Sequence, residues 1–148
     1  MKKLFAVLLI AVVVMASAFA FEFKSLGIET GGGNACNEIL LSGDMEVADN
    51  FDTYIRLGYN LGKFNVSVGG QYKVAELKMD STKFDVKPGV QLGFNFIDGF
   101  IFTVFGTCDF SFKTGHFSAF LRPGLGMAVF GKQTSFAFEV ETGVAYLF

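Results

Sequence analysis

His116 and Ser118 are the residues of this chain best suited to covalent chemistry. They lie two positions apart, so an extended strand points both side chains to the same face. A serine becomes a nucleophile when a base such as histidine is within hydrogen-bonding reach and a third group orients that base. His116 is the only histidine in 148 residues. The pair defines one candidate catalytic site, and the competing interpretation is a histidine that flanks a turn.

A second set of polar side chains is charged and recurs at alternate positions of extended segments. Its members are Arg56, Lys73, Asp85, Lys87, Asp109, Arg122, Glu139 and Glu141, with Glu38, Asp44 and Glu46 upstream. Burying such charges is costly unless they are paired and hydrogen-bonded. We therefore expect a salt-bridged interior in which Arg122 pairs with Glu139 or Glu141. The functional alternative is a pathway or gate for ions.

The remaining motifs exclude several classes of function. The sequence has no metal-ligand cluster, and Gly31-Gly32-Gly33 lacks the strand–helix context of a phosphate-binding loop. We therefore predict no metal and no cofactor. The formal net charge of −2 gives no basic footprint for nucleic acid.

The two cysteines, Cys36 and Cys108, form an even pair, which suggests a disulfide in an oxidising compartment. Their expected positions argue against it. Cys36 belongs to the loop after the first predicted strand. Cys108 lies eight residues along a later predicted strand, which starts at the same end of the expected barrel as that loop. At about 3.3 Å per residue, this separation exceeds roughly 20 Å. We predict two free thiols.

The first twenty residues predict a secretory signal peptide. Lys2 and Lys3 precede an apolar run, and Ala18-Phe19-Ala20 supplies a small-x-small cleavage site. The alternative is an uncleaved membrane helix, because the apolar run nears the minimum length of a span. Cleavage after Ala20 leaves residues 21–148 as one domain, whose net charge is −4 because two lysines are lost.

The rest of the chain alternates apolar and polar residues with a period of two, which predicts strands. Clusters of Gly, Asn, Asp, Lys and Ser separate the segments as turns. The predicted strands are residues 21–30, 38–48, 52–61, 64–74, 84–96, 100–112, 117–129 and 134–148. These eight strands predict an all-β, antiparallel, up-and-down barrel in which the last strand pairs with the first.

The apolar faces of the last five segments carry no charge. A Lys or Arg at the bilayer midplane costs roughly 2–4 kcal/mol, so this pattern is typical of a lipid-facing surface. The alternative is a secreted lipocalin-like barrel, which needs an apolar interior for its ligand and a charged exterior. The apolar face here is too large for one small ligand cavity, which favours a transmembrane barrel.

Three local features carry their own expectations. The first strand changes phase near Gly27, which suggests a bulge. Lys87-Pro88-Gly89 and Arg122-Pro123-Gly124 each place a proline within a strand, where the missing donor implies a bulge or kink. The longest predicted connection spans residues 75–83.

The segment RPGLGMAVF and the terminal GVAYLF resemble strands of small outer-membrane barrels of the OmpX and OmpA transmembrane-domain type. The resemblance implies a C-terminal assembly signal at Val144, Tyr146 and Phe148 and a periplasmic C-terminus. It implies location in the bacterial outer membrane, contact with its lipid, and partners in the barrel-insertion machinery and periplasmic chaperones.

His116-x-Ser118 also resembles the His and Ser of the outer-membrane lipid A deacylase PagL, which act with a nearby acid. The sequence departs from that pattern, because Ala119 replaces an Asn and Phe130 stands where the acid is expected. A periplasmic C-terminus would also put the turn before His116 on the periplasmic side, away from outer-leaflet lipid A.

The sequence as a whole favours a non-catalytic envelope or surface protein with a plugged interior. A narrow pore for small solutes, a lipid-modifying enzyme and a soluble ligand-binding barrel are the alternatives. The sequence does not determine the oligomeric state.

Overall fold

The computed structural model describes residues 22–34, 37–60, 63–96 and 100–148. The strands are β1 (Glu22–Gly33), β2 (Asn37–Ala48), β3 (Phe51–Asn60), β4 (Lys63–Tyr72), β5 (Ala75–Met79), β6 (Thr82–Phe96), β7 (Phe100–Thr114), β8 (Phe117–Phe130) and β9 (Gln133–Leu147). The expected signal peptide, its cleavage residues Ala18 and Ala20, and Cys36 lie outside the described residues. Among the described residues, no helix is long and apolar enough to cross a membrane.

The strands close into an antiparallel barrel. Successive strands pair as neighbours, and β1 pairs with β9 from Ser25–Leu147 to Gly33–Glu139. The long β6 pairs along one edge with both β4 and β5, so these two segments together occupy one position in the ring. The ring therefore has eight positions, which confirms the predicted barrel and the pairing of its first and last strands.

The prediction of a loop at residues 75–83 is wrong. This stretch continues the barrel wall as β5, a two-residue turn at Asp80-Ser81, and the start of β6. The register places Gln71 opposite Gly89 and Ala75 opposite Val86, which leaves three residues facing Lys87 and Pro88. This extra residue is a bulge on the strand opposite Pro88, which cannot donate to the ladder.

The other two expected irregularities differ from prediction. The bulge of β1 lies between Phe23 and Ser25 rather than near Gly27, and alternation runs unbroken from Ser25 to Gly31. Pro123 produces no register shift with β9. The ladder between β8 and β7 is interrupted beside Pro123 and then resumes in the same register.

The distribution of apolar side chains is the reverse of a soluble protein. Among the residues that the structure describes, twenty-eight large apolar side chains are exposed, whereas the buried apolar set contains only Leu40, Tyr54, Phe105, Ala137 and Ala145. The buried polar set is much larger and includes Arg and Glu side chains on the inner face. The barrel thus has a polar interior and an apolar exterior, which is the arrangement of transmembrane barrels and not of lipocalins.

Aromatic side chains form belts at both ends of the apolar exterior. At the end where β1 begins and β9 ends, Phe51 lies opposite Tyr72, and Phe117 lies opposite Tyr146. At the other end, the rings of Phe94 and Phe102, and those of Phe96 and Phe100, pack with centroids 5.4 and 5.9 Å apart. Aromatic girdles at the two interfaces are typical of outer-membrane barrels.

Gly69 makes room for the interior, and we predict that Gly69→Ala destabilises the barrel by about 1–3 kcal/mol through overpacking. A Cβ atom at residue 69 would lie 2.2 Å from the ring of Tyr54. Gly106 is the matched control, because its added Cβ meets no atom closer than 3.8 Å. Urea unfolding of the folded barrels in lipid vesicles measures the difference. Equal stability of the two variants would contradict the tight fit at Tyr54.

Candidate functional site: a charged cluster that fills the barrel

Two arginines, two glutamates and one aspartate meet at the centre of the barrel. Arg56 Nε lies 3.1 Å from Glu29 Oε2, and Arg56 Nη1 lies 2.6 Å from Glu141 Oε2. Arg122 Nη1 approaches the same two carboxylates at 3.4 and 3.3 Å, and its Nη2 lies 2.7 Å from Asp109. All five side chains are at most 4% exposed. They come from β1, β3, β7, β8 and β9, so the cluster ties most of the wall together.

Tyr54 supports both guanidinium groups. Its ring centroid is 3.9 Å from Arg56 Cζ and 4.7 Å from Arg122 Cζ. Cation–π contacts of this kind stabilise most where the cation is desolvated, which is the case at this depth. Tyr54 Oη also donates a hydrogen bond to Gln91 Oε1 at 3.2 Å. The tyrosine thus fills the lumen and orients the cluster.

Amide side chains bind acids in the half of the lumen where β1 ends and β9 begins. Gln91 accepts a short hydrogen bond from Arg56, and its Nε2 donates to Glu139 at 2.9 Å. Asn65 Nδ2 donates to Glu38 at 2.6 Å. A cavity of ≈ 460 Å³ opens at this end of the barrel, beside Ala128 and Ser135.

Lysines and aspartates occupy the half of the lumen nearer the end where β1 begins and β9 ends. Lys87 pairs with Asp52 at 2.6 Å, and Lys24 approaches the same carboxylate at 3.3 Å and also pairs with Glu46. A cavity of ≈ 40 Å³ lies here. It is lined by three oxygens without a hydrogen-bond partner in the described residues, namely Asp44 Oδ1, Gln71 Oε1 and Asp109 Oδ1. Water is the simplest species to satisfy these acceptors.

The structure brings together most of the predicted interior charges. Arg122 meets Glu141, while Glu139 bonds to Gln91. Asp85 pairs with Lys113 at 2.7 Å. Lys73 lies apart from the cluster, at the barrel rim, where it pairs with Glu76 at 2.8 Å.

Sequence reasoning missed several residues of the site, among them Glu29, Asp52, Tyr54 and Gln91. Glu29 escaped because the bulge was placed at Gly27, although alternation with Ser25 would have put it inside. Asp52 and Tyr54 alternate with Arg56 on β3. That shared face was the available signal.

Within the described residues, no hydrogen bond joins His116 and Ser118. The His116 ring stacks on Tyr146 with centroids 5.6 Å apart, and its Nδ1 lies 3.2 Å from the Leu147 carbonyl oxygen. Ser118 is buried on the inner face, beside the smaller cavity. The histidine thus contacts the end of the last strand.

The other predicted positions lie on the outer face. Cys108 is a half-buried free thiol opposite Pro88. Val144, Tyr146 and Phe148 are all exposed, and Phe148 packs against Phe23 with ring centroids 5.7 Å apart. No group of three or more His, Cys, Asp or Glu side chains in the described residues could hold a metal ion.

The chain has the fold of the small outer-membrane β-barrels. It is similar to the de novo designed protein TMB2.3, with a TM-score of 0.55 and 12% identity over 86% of this chain and 94% of that one. It is also similar to the N-terminal barrel domain of Pseudomonas aeruginosa OprF, with a TM-score of 0.52 and 15% identity over 86% and 100% of the two chains.

A third similar structure is the outer-membrane enzyme PagL, with a TM-score of 0.50 and 11% identity over 82% of this chain and 97% of that one. At these identities the likeness concerns the fold alone. No protein-family model and no curated protein matches the chain.

Removal of one member of the central cluster leaves its partners buried without compensation. We predict that Arg56→Met destabilises the barrel by about 3–5 kcal/mol, because Glu29 and Glu141 lose an ion pair in a buried site. The exposed Lys132→Met is the matched control and should change stability by less than about 0.5 kcal/mol. Urea unfolding in vesicles measures both. A loss at Arg56 no larger than at Lys132 would show that the cluster does not stabilise the fold.

Proposed function

We propose that this protein is an integral outer-membrane barrel whose polar interior is plugged and whose role in the envelope is non-catalytic. The observation that carries the proposal is the central cluster, in which Arg56 and Arg122 bind shared carboxylates across the lumen over the ring of Tyr54. An eight-stranded ring leaves an interior that side chains can just fill. The cluster fills it with charges whose partners come from opposite walls.

In this proposal the C-terminus faces the periplasm and the apolar exterior contacts outer-membrane lipid. The exposed aromatic belt around Tyr146 and Phe148 supports an interface position for the last strand. Ring closure through that strand makes its correct insertion a condition for folding. The barrel-insertion machinery and periplasmic chaperones are therefore the proposed partners in assembly.

A narrow pore is the second candidate, because a cavity lies on each side of the central cluster. For ions to pass, the Arg56 and Arg122 ion pairs would have to rearrange so that the two cavities join. Acidic side chains outnumber basic ones on the described inner face. A pore through it would therefore favour cations.

The plug and the pore differ in conductance, so planar-bilayer recordings distinguish them. We predict that the folded wild-type protein gives no single-channel steps. The triple variant Tyr54→Ala/Arg56→Ala/Arg122→Ala should conduct, because truncation removes the side chains that fill the lumen. Steps from the wild type would contradict the plug and favour the pore.

Two controls keep the conductance result interpretable. Each protein must show heat-modifiable migration in detergent gels, which demonstrates a folded barrel before boiling. Lys132→Ala, at an exposed turn outside the lumen, should remain as silent as the wild type. A triple variant that is folded and silent would show that other side chains close the lumen.

The non-catalytic role is tested with lipid A as substrate. The contacts of His116 with Tyr146 and Leu147 support a structural task for this residue at the end of β9. We predict no release of fatty acid by the folded wild type. Release that is abolished in Ser118→Ala and retained in Ser111→Ala, another serine buried on the inner face, would overturn the proposal.

A further inference from the structure

The barrel wall is uneven at the end where β1 begins and β9 ends. β5, the first residues of β6 and the last residues of β7 continue past the aromatic pair Phe51–Tyr72, where β3 begins and β4 ends. We call this three-stranded extension the rim flap. Its inner face continues the polar lumen, and its outer face continues the apolar exterior.

The rim flap ends in a free strand edge. β5 pairs with β6 on one side, and no described strand lies on its other side. The two-residue turn Asp80-Ser81 makes Met79 and Thr82 a hydrogen-bonded pair, and bonded and non-bonded pairs then alternate. The backbone N–H and C=O groups of Glu76 and Lys78 therefore point away from β6. Such groups form a template for another strand.

A row of lysines crosses the inner face of the rim flap. Lys78 on β5 lies opposite Lys83 on β6, which lies opposite Lys113 on β7. Like charges directly opposite one another destabilise a sheet. Lys78 and Lys113 each reach one acid, Glu76 at 3.0 Å and Asp85 at 2.7 Å. Lys83 is exposed and has no ion pair within the described residues.

On the inner face of the rim flap and at its base, lysines outnumber acids. Glu76 binds both Lys73 and Lys78, and hydrogen bonds from these lysines lower its pKa to about 2. Glu76 therefore stays ionised under ordinary conditions. Even so, Glu76 and Asp85 face four lysines on this surface, because Lys73 at the base of the flap joins the three of the row. The third acid, Asp80, lies in the turn at the tip of the flap. The inner face thus attracts an anionic group.

The outer face of β5 is apolar. Leu77 and Met79 are 61% and 60% exposed, and Leu77 lies opposite Phe84. A strand added to β5 would place alternate side chains beside these apolar residues and the others beside Lys78. The surface therefore selects for both conformation and sequence pattern.

We propose that the free edge of β5 binds an extended segment of a partner protein in which acidic and apolar residues alternate. The backbone of the segment continues the sheet, its acids face the lysine row, and its apolar residues pack beside Leu77 and Met79. Addition of a strand to an exposed sheet edge is a general mode of peptide recognition. The partner would act on the side of the membrane that holds the C-terminus.

A second copy of the chain does not fit this edge. Antiparallel pairing of two β5 strands places a two-fold axis perpendicular to the sheet. Because the sheet is part of the barrel wall, this axis lies in the plane of the membrane. The two barrels would then have opposite orientations, which two copies inserted the same way cannot adopt. A separate extended segment avoids this conflict.

The test uses the folded full-length barrel in zwitterionic detergent and a short fluorescent peptide of alternating glutamate and valine. We expect saturable binding by fluorescence anisotropy that weakens as salt increases, because exposed charges are screened. Lys78→Gln/Lys83→Gln should weaken binding by about tenfold. Lys132→Gln, at the opposite end of the barrel, is the matched control and should bind like the wild type.

Two control peptides separate strand addition from charge attraction. The same peptide with N-methylated amides along one edge keeps its charges but cannot pair along that edge, and it should not bind. A lysine–valine peptide should not bind either. Equal binding of the N-methylated peptide would overturn strand addition, and equal binding of the lysine–valine peptide would overturn charge recognition. Absence of binding by the glutamate–valine peptide, with the barrel shown to be folded by heat-modifiability, would overturn the whole proposal.

Discussion

Closure of the ring between β1 and β9 is the constraint on which the rest of the structure depends. Lipid cannot hydrogen-bond to the backbone, so each donor and acceptor within the bilayer needs a partner strand. The β1–β9 ladder supplies it, and Phe148 N extends the ladder by donating to the Lys24 carbonyl oxygen at 3.0 Å. Closure with eight positions then fixes a narrow lumen, and this width decides which side chains the interior can hold.

The narrow lumen accounts for the pairing of large charged side chains with glycines. A Cβ on Gly58 would lie within 3.0 Å of the Glu38 carboxyl group, and one on Gly69 would collide with Tyr54. At these positions a long side chain can cross the lumen because the neighbouring wall residue is a glycine, which has no side chain. The arginines and glutamates meet at the centre because the walls there leave space for them. Their mutual neutralisation then makes burial tolerable.

Alternation in the sequence was sufficient to predict every strand except β5, because an exterior in lipid and an interior with charges differ strongly in polarity. It was not sufficient for contacts across the lumen. Arg56 meets Glu141 from a distant strand, and this meeting depends on the stagger of the ring, which no local pattern encodes. Apolar residues at inward positions, Leu40 and Phe105, also broke the binary pattern, since the interior accepts any side chain that fits.

The predicted loop at residues 75–83 failed for a specific reason, and the same reason explains the shape of the rim. Pro88 offers no N–H to the strand beside it, so the ladder between β4 and β6 stops at Gly89. The Lys73 amide bonds instead to the Asn50 carbonyl oxygen at 2.8 Å, while the Val74 amide returns to Val86 at 3.0 Å. The strand resumes after this bulge as β5. Because β3 begins only at Phe51, it does not extend beside β5. One imino acid thus separates a strand into two segments and leaves the second with an open edge.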